Sequence, residues 1–438
     1  MDRRETLRWD AVVASVRELA RGAGAFFAVQ CVGTGLAFVA QVYLARVLGA
    51  PAYGDYTVAY GWIALLSVLC TGGHAAAALR FSSQYLGAQD WARLRGYFAV
   101  AGTAVAISSA GIAILLLIAS RLGAAGFGDN VAAALAVGAL VMPLQAGLIV
   151  AASILRGLRW PALSQVPASL LQPSLLIACV AIAPAIGHAT GGREAMIWTT
   201  LSTAAAFAAT CVLIRAKTPV GVRAAVAVRE TPGWTRVALP MLAIAGLNVV
   251  MQRADVLIVG AQLGTQAAGV YSAATKLALL VSFGLTAVNA WVAPAIADLH
   301  ARGERAELQR VVRLAARGVT AFTLPVALGT VCAGGWLLGL FGPAFESGWA
   351  ALSILCLGQL VNALLGPVGY LMTMTGNQSE AARILGVSAL ANVVLCALLT
   401  PRFGIVGAAL GTAFAQVLWN VWMSVAVWRR LGVRATVI

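Results

Sequence analysis

Three charged residues stand inside long apolar runs of this sequence. Arg253 and Asp255 interrupt the run at 237–262, and Lys276 lies in the run at 267–297. Each charge at the middle of a bilayer costs about 2.5–3.5 kcal/mol, so such residues pair with one another or face a wet cavity. Guanidinium and ammonium groups bind phosphate, and a carboxylate in a low-dielectric site takes up a proton or a cation. The three residues therefore predict a binding site or a structural ion pair.

Asp255 and Lys276 flank a short turn at nearly equal distances along the sequence. At 1.5 Å of rise per residue, a hairpin of two helices brings them to a similar depth. The pattern predicts a salt bridge between them, and a structural and a functional reading of that pair both stay open. Neither charge is needed by the repeat described below, which favours function.

The remaining candidates extend the same hypothesis to an anionic substrate. Arg253 and Lys276 are the first choices for binding phosphate, because a planar guanidinium suits phosphate oxygens. Arg46 and Arg80, at helix ends, are second. Asp255 is the candidate for coupling to H⁺ or Na⁺. Asn248 and Gln252 join it at i, i+4 and i+7 spacing, which predicts one polar helix face and makes both candidate substrate contacts. No catalytic residue, metal site or organic cofactor is predicted.

The composition requires a membrane around these residues. Hydrophobic residues make up 61% of the 438 residues and charged residues 10%, against about 45–50% and 25% in soluble domains. The net charge of +15 is spread over short segments between apolar runs, which is the membrane pattern and not a nucleic-acid surface. Nucleic acid is therefore not an expected partner, whereas membrane lipids are.

The apolar runs predict an all-α polytopic membrane protein with twelve transmembrane helices. The predicted spans are 22–45, 56–78, 97–120, 130–154, 162–186, 195–214, 237–262, 267–297, 314–340, 348–373, 382–400 and 403–428. Of the 30 Lys and Arg residues, 24 fall at the termini or in even-numbered loops and four on the opposite side. The positive-inside rule then places the N- and C-termini in the cytoplasm.

A repeated motif divides the chain into two halves. Residues 48–59, LGAPAYGDYTVA, and residues 263–274, LGTQAAGVYSAA, share six of twelve positions at an offset of 215. Both copies fall between the first two helices of a six-helix half. Gly49 and Gly264 are expected to end helices in a left-handed conformation, and Tyr56 and Tyr271 to sit near the outer interface. The halves are parallel repeats, with a site between them.

The resulting organisation has five parts. They are a cytoplasmic N-terminal segment at 1–21, which is either a surface helix or a solvated tail, an N-terminal six-helix lobe at 22–214, a basic cytoplasmic linker at 215–236, a C-terminal six-helix lobe at 237–428 and a cytoplasmic tail at 429–438. Duplicated bundles of this kind mostly serve alternating access, so the architecture predicts a transporter.

Three segments resemble a known family: ARVLGAPAYGDYTVA, RADVLIVGAQLGTQAAGVYSAATKLA and PRFGIVGAALGTAFAQ. They are similar to the polysaccharide transporter (Wzx-type oligosaccharide flippase) branch of the MOP flippase superfamily. The resemblance implies two V-shaped lobes in a bacterial or archaeal plasma membrane. It also implies transport of a polyprenyl-diphosphate-linked oligosaccharide from the cytoplasmic to the outer leaflet, in O-antigen, capsule or exopolysaccharide export, beside glycan polymerase or ligase machinery.

Other functions remain as alternatives of different weight. A MATE-like multidrug or cation antiporter of the same superfamily would need a mainly acidic cavity, and the buried charges here lean cationic. A membrane glycosyl polymerase or ligase needs a sizeable outer loop with acid, base or arginine groups, and the predicted outer loops are short. The sequence has no GxxxxGK[ST] phosphate loop, so ATP hydrolysis by this chain is not expected. A scaffold within a glycan-assembly complex stays open.

Overall fold

The computed structural model describes the backbone of residues 3–121, 128–183 and 190–433. Side chains at 3–23, 121, 286, 287, 289–291, 293 and 294 lie outside that description. All regular elements in the described part are helical. The backbone of the N-terminal segment is helical from Arg3 onward and runs without interruption into the first span.

The first half contains seven helices and one π-helical turn. Their bounds are α1 Arg3–Cys70, α2 His74–Gly87, α3 Trp91–Arg121, α4 Asp129–Gly157, α5 Pro161–Val166, a π turn Pro167–Leu171, α6 Gln172–Ile182 and α7 Gly192–Lys217. The π turn joins α5 and α6 into one continuous rod.

The connecting helix α8 spans Val220–Ala224, and the second half follows it. Its elements are α9 Thr231–Leu263, α10 Thr265–Val281, α11 Phe283–Ala301, α12 Arg305–Cys332, α13 Gly334–Gly339, a 3₁₀ turn Pro343–Gly348, α14 Trp349–Leu364, α15 Val368–Met374, α16 Gln378–Phe403 and α17 Ile405–Leu431.

Ten helical segments of the described chain are long and apolar enough to cross a membrane, so this is a multi-pass membrane protein. One of the ten, Gly24–Cys70, has 47 residues. At 1.5 Å per residue a straight helix of that length would measure about 70 Å, roughly twice the hydrocarbon thickness of a bilayer. The pair α10 and α11 is not among the ten, and a break at Ser282 divides it into helices of 17 and 19 residues.

The repeated glycines explain how the 47-residue segment folds. Gly49 has φ 72° and ψ 170°, and Gly264 has φ 88° and ψ 172°. This positive-φ extended conformation is accessible essentially to glycine alone. The predicted positive φ is confirmed at both positions, but ψ differs from that of a left-handed helical cap. Each glycine turns the chain between two helices, so the sequence repeat is also a repeat of backbone conformation.

Prolines coincide with only some of the breaks in the helices. Kinks are predicted at Pro143, Pro173, Pro240, Pro294, Pro325 and Pro367. Pro173 follows the π turn, and Pro367 lies at the break between α14 and α15. Pro143, Pro240 and Pro325 lie within helices that continue on both sides. The side chain of Pro294 is outside the described residues.

The connection between the halves is fastened to α3. Arg95 Nη1 donates to the carbonyl oxygens of Arg223 (2.7 Å) and Ala225 (2.6 Å), and the Val228 N–H donates to the Ala92 carbonyl oxygen. This close approach of the two backbones requires a glycine at position 96, because a Cβ on Gly96 would lie 1.8 Å from the Val228 carbonyl oxygen. The segment after α7 is therefore docked along its length.

The start of α9 is packed into an aromatic cluster of the first half. Trp234 is fully buried, and its Nε1 donates to Tyr85 Oη at 2.8 Å. Its ring also meets Phe81 and Tyr97. His74 lies beside the cluster, with Nδ1 3.3 Å from Tyr97 Oη. The second half thus begins from a fixed point on the first.

Candidate functional site

The two halves touch at equivalent glycines of the repeated motif. A Cβ on Gly54 would lie 1.8 Å from the Thr265 carbonyl oxygen, and one on Gly269 would lie 2.6 Å from the Ala50 carbonyl oxygen. Gly54 and Gly269 occupy the same position in the two copies. Only glycine allows backbones to approach this closely, so the motif closes the contact between the halves at this end.

A cavity of about 310 Å³ lies between the halves beyond this contact. Both arms of α1 form its first-half wall, and α9 and α10 form its second-half wall. The lining residues are Thr34, Ala37, Phe38, Gln41, Tyr56, Thr57, Tyr60, Gly61, Arg253, Val256, Ser272, Lys276, Leu279 and Leu280. The cavity brings together the two cationic residues predicted as the first choices for phosphate.

Lys276 connects the two walls of this cavity. Its Nζ donates to Gln41 Oε1 and, at 2.6 Å, to Tyr53 Oη. The Tyr53 hydroxyl in turn donates to Gln41 Oε1 at 3.2 Å. The ammonium group also lies 5.0 Å from the centre of the Tyr53 ring, within the range of a cation–π contact. All of these partners belong to the first half.

Arg253 lies on the same side without an acidic partner. Its guanidinium carbon is 5.8 Å from the centre of the Tyr60 ring. The ion pairs found among the described residues involve neither Arg253 nor Lys276. The described lining contains no Asp or Glu. Two cations with no counterion in a small cavity form a site for an anion, because each gains most from a negatively charged ligand.

Asp255 makes its hydrogen bonds with neutral groups and not with either cation. Its side chain is buried (1% exposed), and Oδ1 accepts the Val256 N–H. Oδ2 accepts the Tyr271 hydroxyl at 3.0 Å and the Thr412 hydroxyl at 3.2 Å. The predicted salt bridge with Lys276 is wrong, because the two side chains leave α9 and α10 in different directions and each finds other partners.

Neutral polar groups surround Asp255. Thr412 also contacts Asn392 Oδ1 (3.4 Å), and Cys396 Sγ donates to the same oxygen (3.1 Å). The cluster therefore joins α9, α10, α16 and α17. A buried acid among hydroxyl, amide and thiol groups needs either a proton or a small cation, because an unpaired carboxylate is costly in this environment.

The polar face predicted on α9 does not form a single site. Asn248 lines a separate cavity within the second half, Gln252 is exposed, and Asp255 is buried. Helical spacing places the three on one side of α9, but neighbouring helices cover only part of that side. Arg46 and Arg80 are exposed and do not line the central cavity, and Arg80 lies over the Phe81 ring instead.

Tyrosines were the residues that sequence reasoning misplaced. Tyr56 and Tyr271 are buried and not at an interface with headgroups. Thr199 donates to Tyr56 Oη (3.3 Å), and Tyr271 Oη lies 3.3 Å from Thr412 Oγ1. Tyr53 was not predicted as a site residue, although it contacts Lys276. The signal available was the repeated tyrosine itself, since a motif shared by two halves is more often packed than exposed.

Several other glutamines in the apolar helices form hydrogen bonds between helices. Gln165 donates to Gln30 (3.3 Å), Gln172 to Thr203 (2.8 Å), and Gln416 to Gln359 (2.9 Å). Each pair joins two different helices, which is the interhelical role expected for polar groups in a membrane.

Comparison with known proteins finds a family and a fold. The family described as "Polysaccharide biosynthesis protein" matches residues 42–348, more than half of the chain. The Haloferax volcanii protein "Probable flippase AglR" is 27% identical over 173 residues, which cover 38% of this chain and 36% of the relative. This chain therefore spans about a third of the length of that relative.

Two solved structures share the fold at low identity. An inward-facing multidrug resistance MATE family transporter of the MOP superfamily has a TM-score of 0.76 at 14% identity, covering 94% of this chain and 98% of its own. The lipid II flippase MurJ, in an inward closed conformation, has a TM-score of 0.72 at 14% identity, covering 92% and 87%. The all-helical, multi-pass membrane fold predicted from the sequence is confirmed, and these two solved structures share it.

Proposed function

This chain belongs to the polysaccharide biosynthesis protein family, and from that premise we propose that it moves a polyprenyl-diphosphate-linked oligosaccharide across the membrane. The direction is from the cytoplasmic to the outer leaflet, and the mechanism is alternating access between the halves. The observation that carries the proposal is the cavity between the halves, with Arg253 and Lys276 in its wall and no described acid beside them.

The proposed topology has twelve crossings with both termini in the cytoplasm. The turn at Gly49 makes two crossings of Gly24–Cys70, and α10 with α11 makes one more, which brings the ten segments to twelve. Residues 22–214 and 237–428 then form the two lobes, and the docked segment between them lies on the cytoplasmic side with 1–21 and 429–438. The basic residues of these segments support this orientation.

The diphosphate is recognised through the two cations. A guanidinium donates two parallel hydrogen bonds to phosphate, while the Lys276 ammonium offers three rotatable donors. In this structure Lys276 donates to Gln41 and Tyr53 across the interface. A bound diphosphate replaces these partners and releases the cross-half contact, so substrate binding itself favours separation of the halves at the motif end.

Asp255 is the proposed coupling group, exchanging H⁺ or Na⁺ with the gradient. It lies two residues, about half a turn, after the cavity residue Arg253 on α9, and its carboxylate contacts α10 and α17. Protonation or cation release changes the hydrogen bonds of Tyr271 and Thr412 and hence the packing of three helices. Transport is the role of the chain, and no catalytic step is proposed. Glycan polymerase or ligase proteins are its proposed functional neighbours.

The test is flipping in proteoliposomes that carry the glycolipid on one leaflet, with an imposed H⁺ or Na⁺ gradient. Arg253→Ala and Lys276→Met are expected to reduce flipping roughly 10- to 100-fold, the size of one or two lost hydrogen bonds to a charged group. Arg80→Ala is the matched control, since Arg80 is exposed and does not line the cavity. Wild-type flipping by both cavity variants would refute the assigned site.

A cation or drug antiporter is the second candidate, favoured by the buried acid Asp255. An organic cation is therefore tested in parallel. Export of that cation with no movement of the glycolipid would replace the flippase proposal. The cationic lining of the cavity weighs against this outcome, because Arg253 and Lys276 repel a positively charged drug.

A further inference from the structure

A second cavity, of about 450 Å³, lies entirely within the second half. It is bounded by α9, the start of α11 and the segments α14 to α17. Its lining comes from the end of α14, from α15, from the start of α16 and from residues 419–423 of α17. On α9 the contributing residues are Ile244 and Asn248, in the half of that helix nearer to the connecting segment. A volume of this size is within the usual range of about 300–1,000 Å³ for small-molecule sites.

The lining combines amides and aromatic rings without charge. Its polar side chains include Asn248, Asn362, Gln378 and Asn420, beside Tyr370 and Trp419. Apolar residues such as Leu285 and Met423 complete the wall, and no Asp, Glu, Lys, Arg or His occurs among the described lining residues. Amides exchange hydrogen bonds with hydroxyl groups, and aromatic rings cover apolar faces. An isoprenoid chain would leave the amides without partners.

Two adjacent residues hold buried polar atoms that have no hydrogen-bond partner among the side chains and backbone that the structure describes. Trp419 Nε1 is an unpaired donor, and Asn420 Oδ1 is an unpaired acceptor. Asn420 is fully buried, and its Nδ2 is already used, donating to the Gln416 carbonyl oxygen at 2.9 Å. Buried polar groups of folded proteins are nearly always paired. An unpaired donor and an unpaired acceptor on residues that both line the cavity match the hydroxyl or acetamido groups of a ligand.

The two cavities have separate linings, which come near each other along the chain at two places. On α9, Asn248 lines the second cavity and Arg253, five residues later, lines the first. That spacing corresponds to about 7.5 Å along the helix axis. Leu280 of α10 lines the first cavity and Leu285 of α11 lines the second, again five residues apart. A group in the second cavity that is attached to a diphosphate at Arg253 would have to pass between these pairs of residues.

We propose that the second cavity is a carbohydrate subsite, which holds neutral or N-acetylated sugars next to the diphosphate. This inference rests on the proposed function and adds the substrate class. Asn420 and Trp419 bind a hydroxyl or acetamido group, and Asn362 and Asn248 serve further hydroxyls. A lining without basic residues disfavours uronic acids, whose carboxylate would lose its hydration without gaining a cation.

The experiment measures binding to the full-length protein in nanodiscs by calorimetry. The probes are a polyprenyl diphosphate without sugar, the same lipid bearing a neutral N-acetylhexosamine, and the same lipid bearing a uronic acid. The variants are Asn420→Leu and Asn362→Leu, the second being less buried and so a safeguard against misfolding. Gln262→Leu is the matched control, because its amide bonds the Ala397 carbonyl oxygen outside the cavity.

The wild type is expected to bind the N-acetylhexosamine lipid at least about 10-fold more tightly than the bare diphosphate and the uronic acid lipid. Either cavity variant should reduce that preference by about 3- to 10-fold, as expected for one lost hydrogen bond. Affinity for the bare diphosphate stays unchanged, and Gln262→Leu keeps the preference.

Three outcomes would overturn the inference, and they are distinguishable. If bare and glycosylated lipids bind equally well, and both need Arg253, the subsite is refuted while the proposed function stands. The subsite is likewise refuted if folded cavity variants keep the full preference. If no diphosphate lipid binds at all, both the proposed function and the carbohydrate subsite are refuted.

Discussion

Each half contains a contact between a tyrosine and a threonine, which we call its brace, and the two braces have different surroundings. In the first half, Thr199 of α7 bonds Tyr56, and in the second, Thr412 of α17 contacts the equivalent Tyr271. Both threonines lie on the sixth helix of the predicted six. Only the second brace contains an acid, and the position equivalent to Asp255 is Ala40. The fold therefore requires the tyrosine and the threonine, whereas the acid is an addition to one half.

The central cavity shows the same asymmetry. At the offset of 215, Arg253 corresponds to Phe38 and Lys276 to Gly61, and all four residues line the cavity. One wall is thus cationic and the other neutral, although their backbones are related by the repeat. We infer that an anionic ligand is held against the second half, while the first half supplies the surface that moves relative to it.

The largest effect on flipping is expected at the glycine contact of the repeated motif, where the two halves are most alike. Gly54→Ala places a methyl group 1.8 Å from a backbone oxygen, so the motif contact cannot close. Overpacking of this kind costs about 1–3 kcal/mol or more, and we expect flipping to fall at least ~10-fold. Gly35→Ala is the control on the same helix, because a Cβ there meets no other atom within 4 Å. Wild-type flipping by Gly54→Ala would show that this contact is not part of the cycle.

The acid that distinguishes the halves should control coupling and not folding. Asp255→Asn keeps the shape and one oxygen that accepts from Tyr271 and Thr412, but its amide nitrogen cannot accept the Val256 N–H, it cannot exchange a proton, and it binds cations weakly. We expect gradient-driven flipping to fall about 10-fold or more, while the protein stays folded with a moderate loss of thermal stability. The check is flipping with and without the gradient. A loss of folded protein, in place of a loss of gradient dependence, would make Asp255 a structural residue.

The tyrosine braces should differ in strength. Tyr271→Phe removes a hydroxyl that serves both an acid and a threonine, whereas Tyr56→Phe removes one contact with a threonine. Hydrogen bonds to charged groups contribute about 1.5–3 kcal/mol and neutral ones about 0.5–1.5. Thermal unfolding in detergent should therefore show a larger loss for Tyr271→Phe. Equal losses would indicate that the acid adds nothing to the second brace.

The smallest effect is expected outside the membrane. The Arg93 backbone N–H donates to Asp90 at 3.0 Å, and this bond, with the Arg93 guanidinium, holds the pKa of Asp90 below its usual range. A depressed pKa stabilises the fold above the unfolded value of about 3.9, and this contribution is lost as pH falls through the folded value. Asp90→Asn should cost less than Tyr56→Phe at pH 7 and nothing in strong acid. A pH-independent loss would exclude this origin.

The sequence supported the fold well because its signals are local and large. Apolar length and glycines at repeat positions each follow from one stretch of chain at a time, whereas the twelve-span count and the orientation given by Arg and Lys stay predictions. The ψ angle at Gly49 and Gly264 was not predictable, since a glycine signals positive φ without choosing between its two positive-φ regions. The π turn before Pro173 likewise depends on neighbouring helices.

The site was only partly predictable for a different reason. Placing Arg253 and Lys276 together needed only their depth and the cost of buried charge. The predicted salt bridge between Asp255 and Lys276 is wrong because equal depth in the membrane does not fix the direction in which a side chain leaves its helix. Tyr53, Gln41 and Thr412 come from other helices, and their meeting depends on how the halves pack. That packing has no signature in any single segment.

The docked connection between the halves has a mechanical consequence. Its backbone is bound to α3, Trp234 is buried in the aromatic cluster, and a Cβ on Gly73 would lie 1.9 Å from the Ala238 carbonyl oxygen. The second half is therefore clamped up to Ala238 and cannot swing on a loose tether. Pro240, the next irregular residue of α9, supplies no N–H to the helix. We therefore expect α9 to bend at Pro240, so that the later part of the helix, which carries Arg253, tilts relative to the first half.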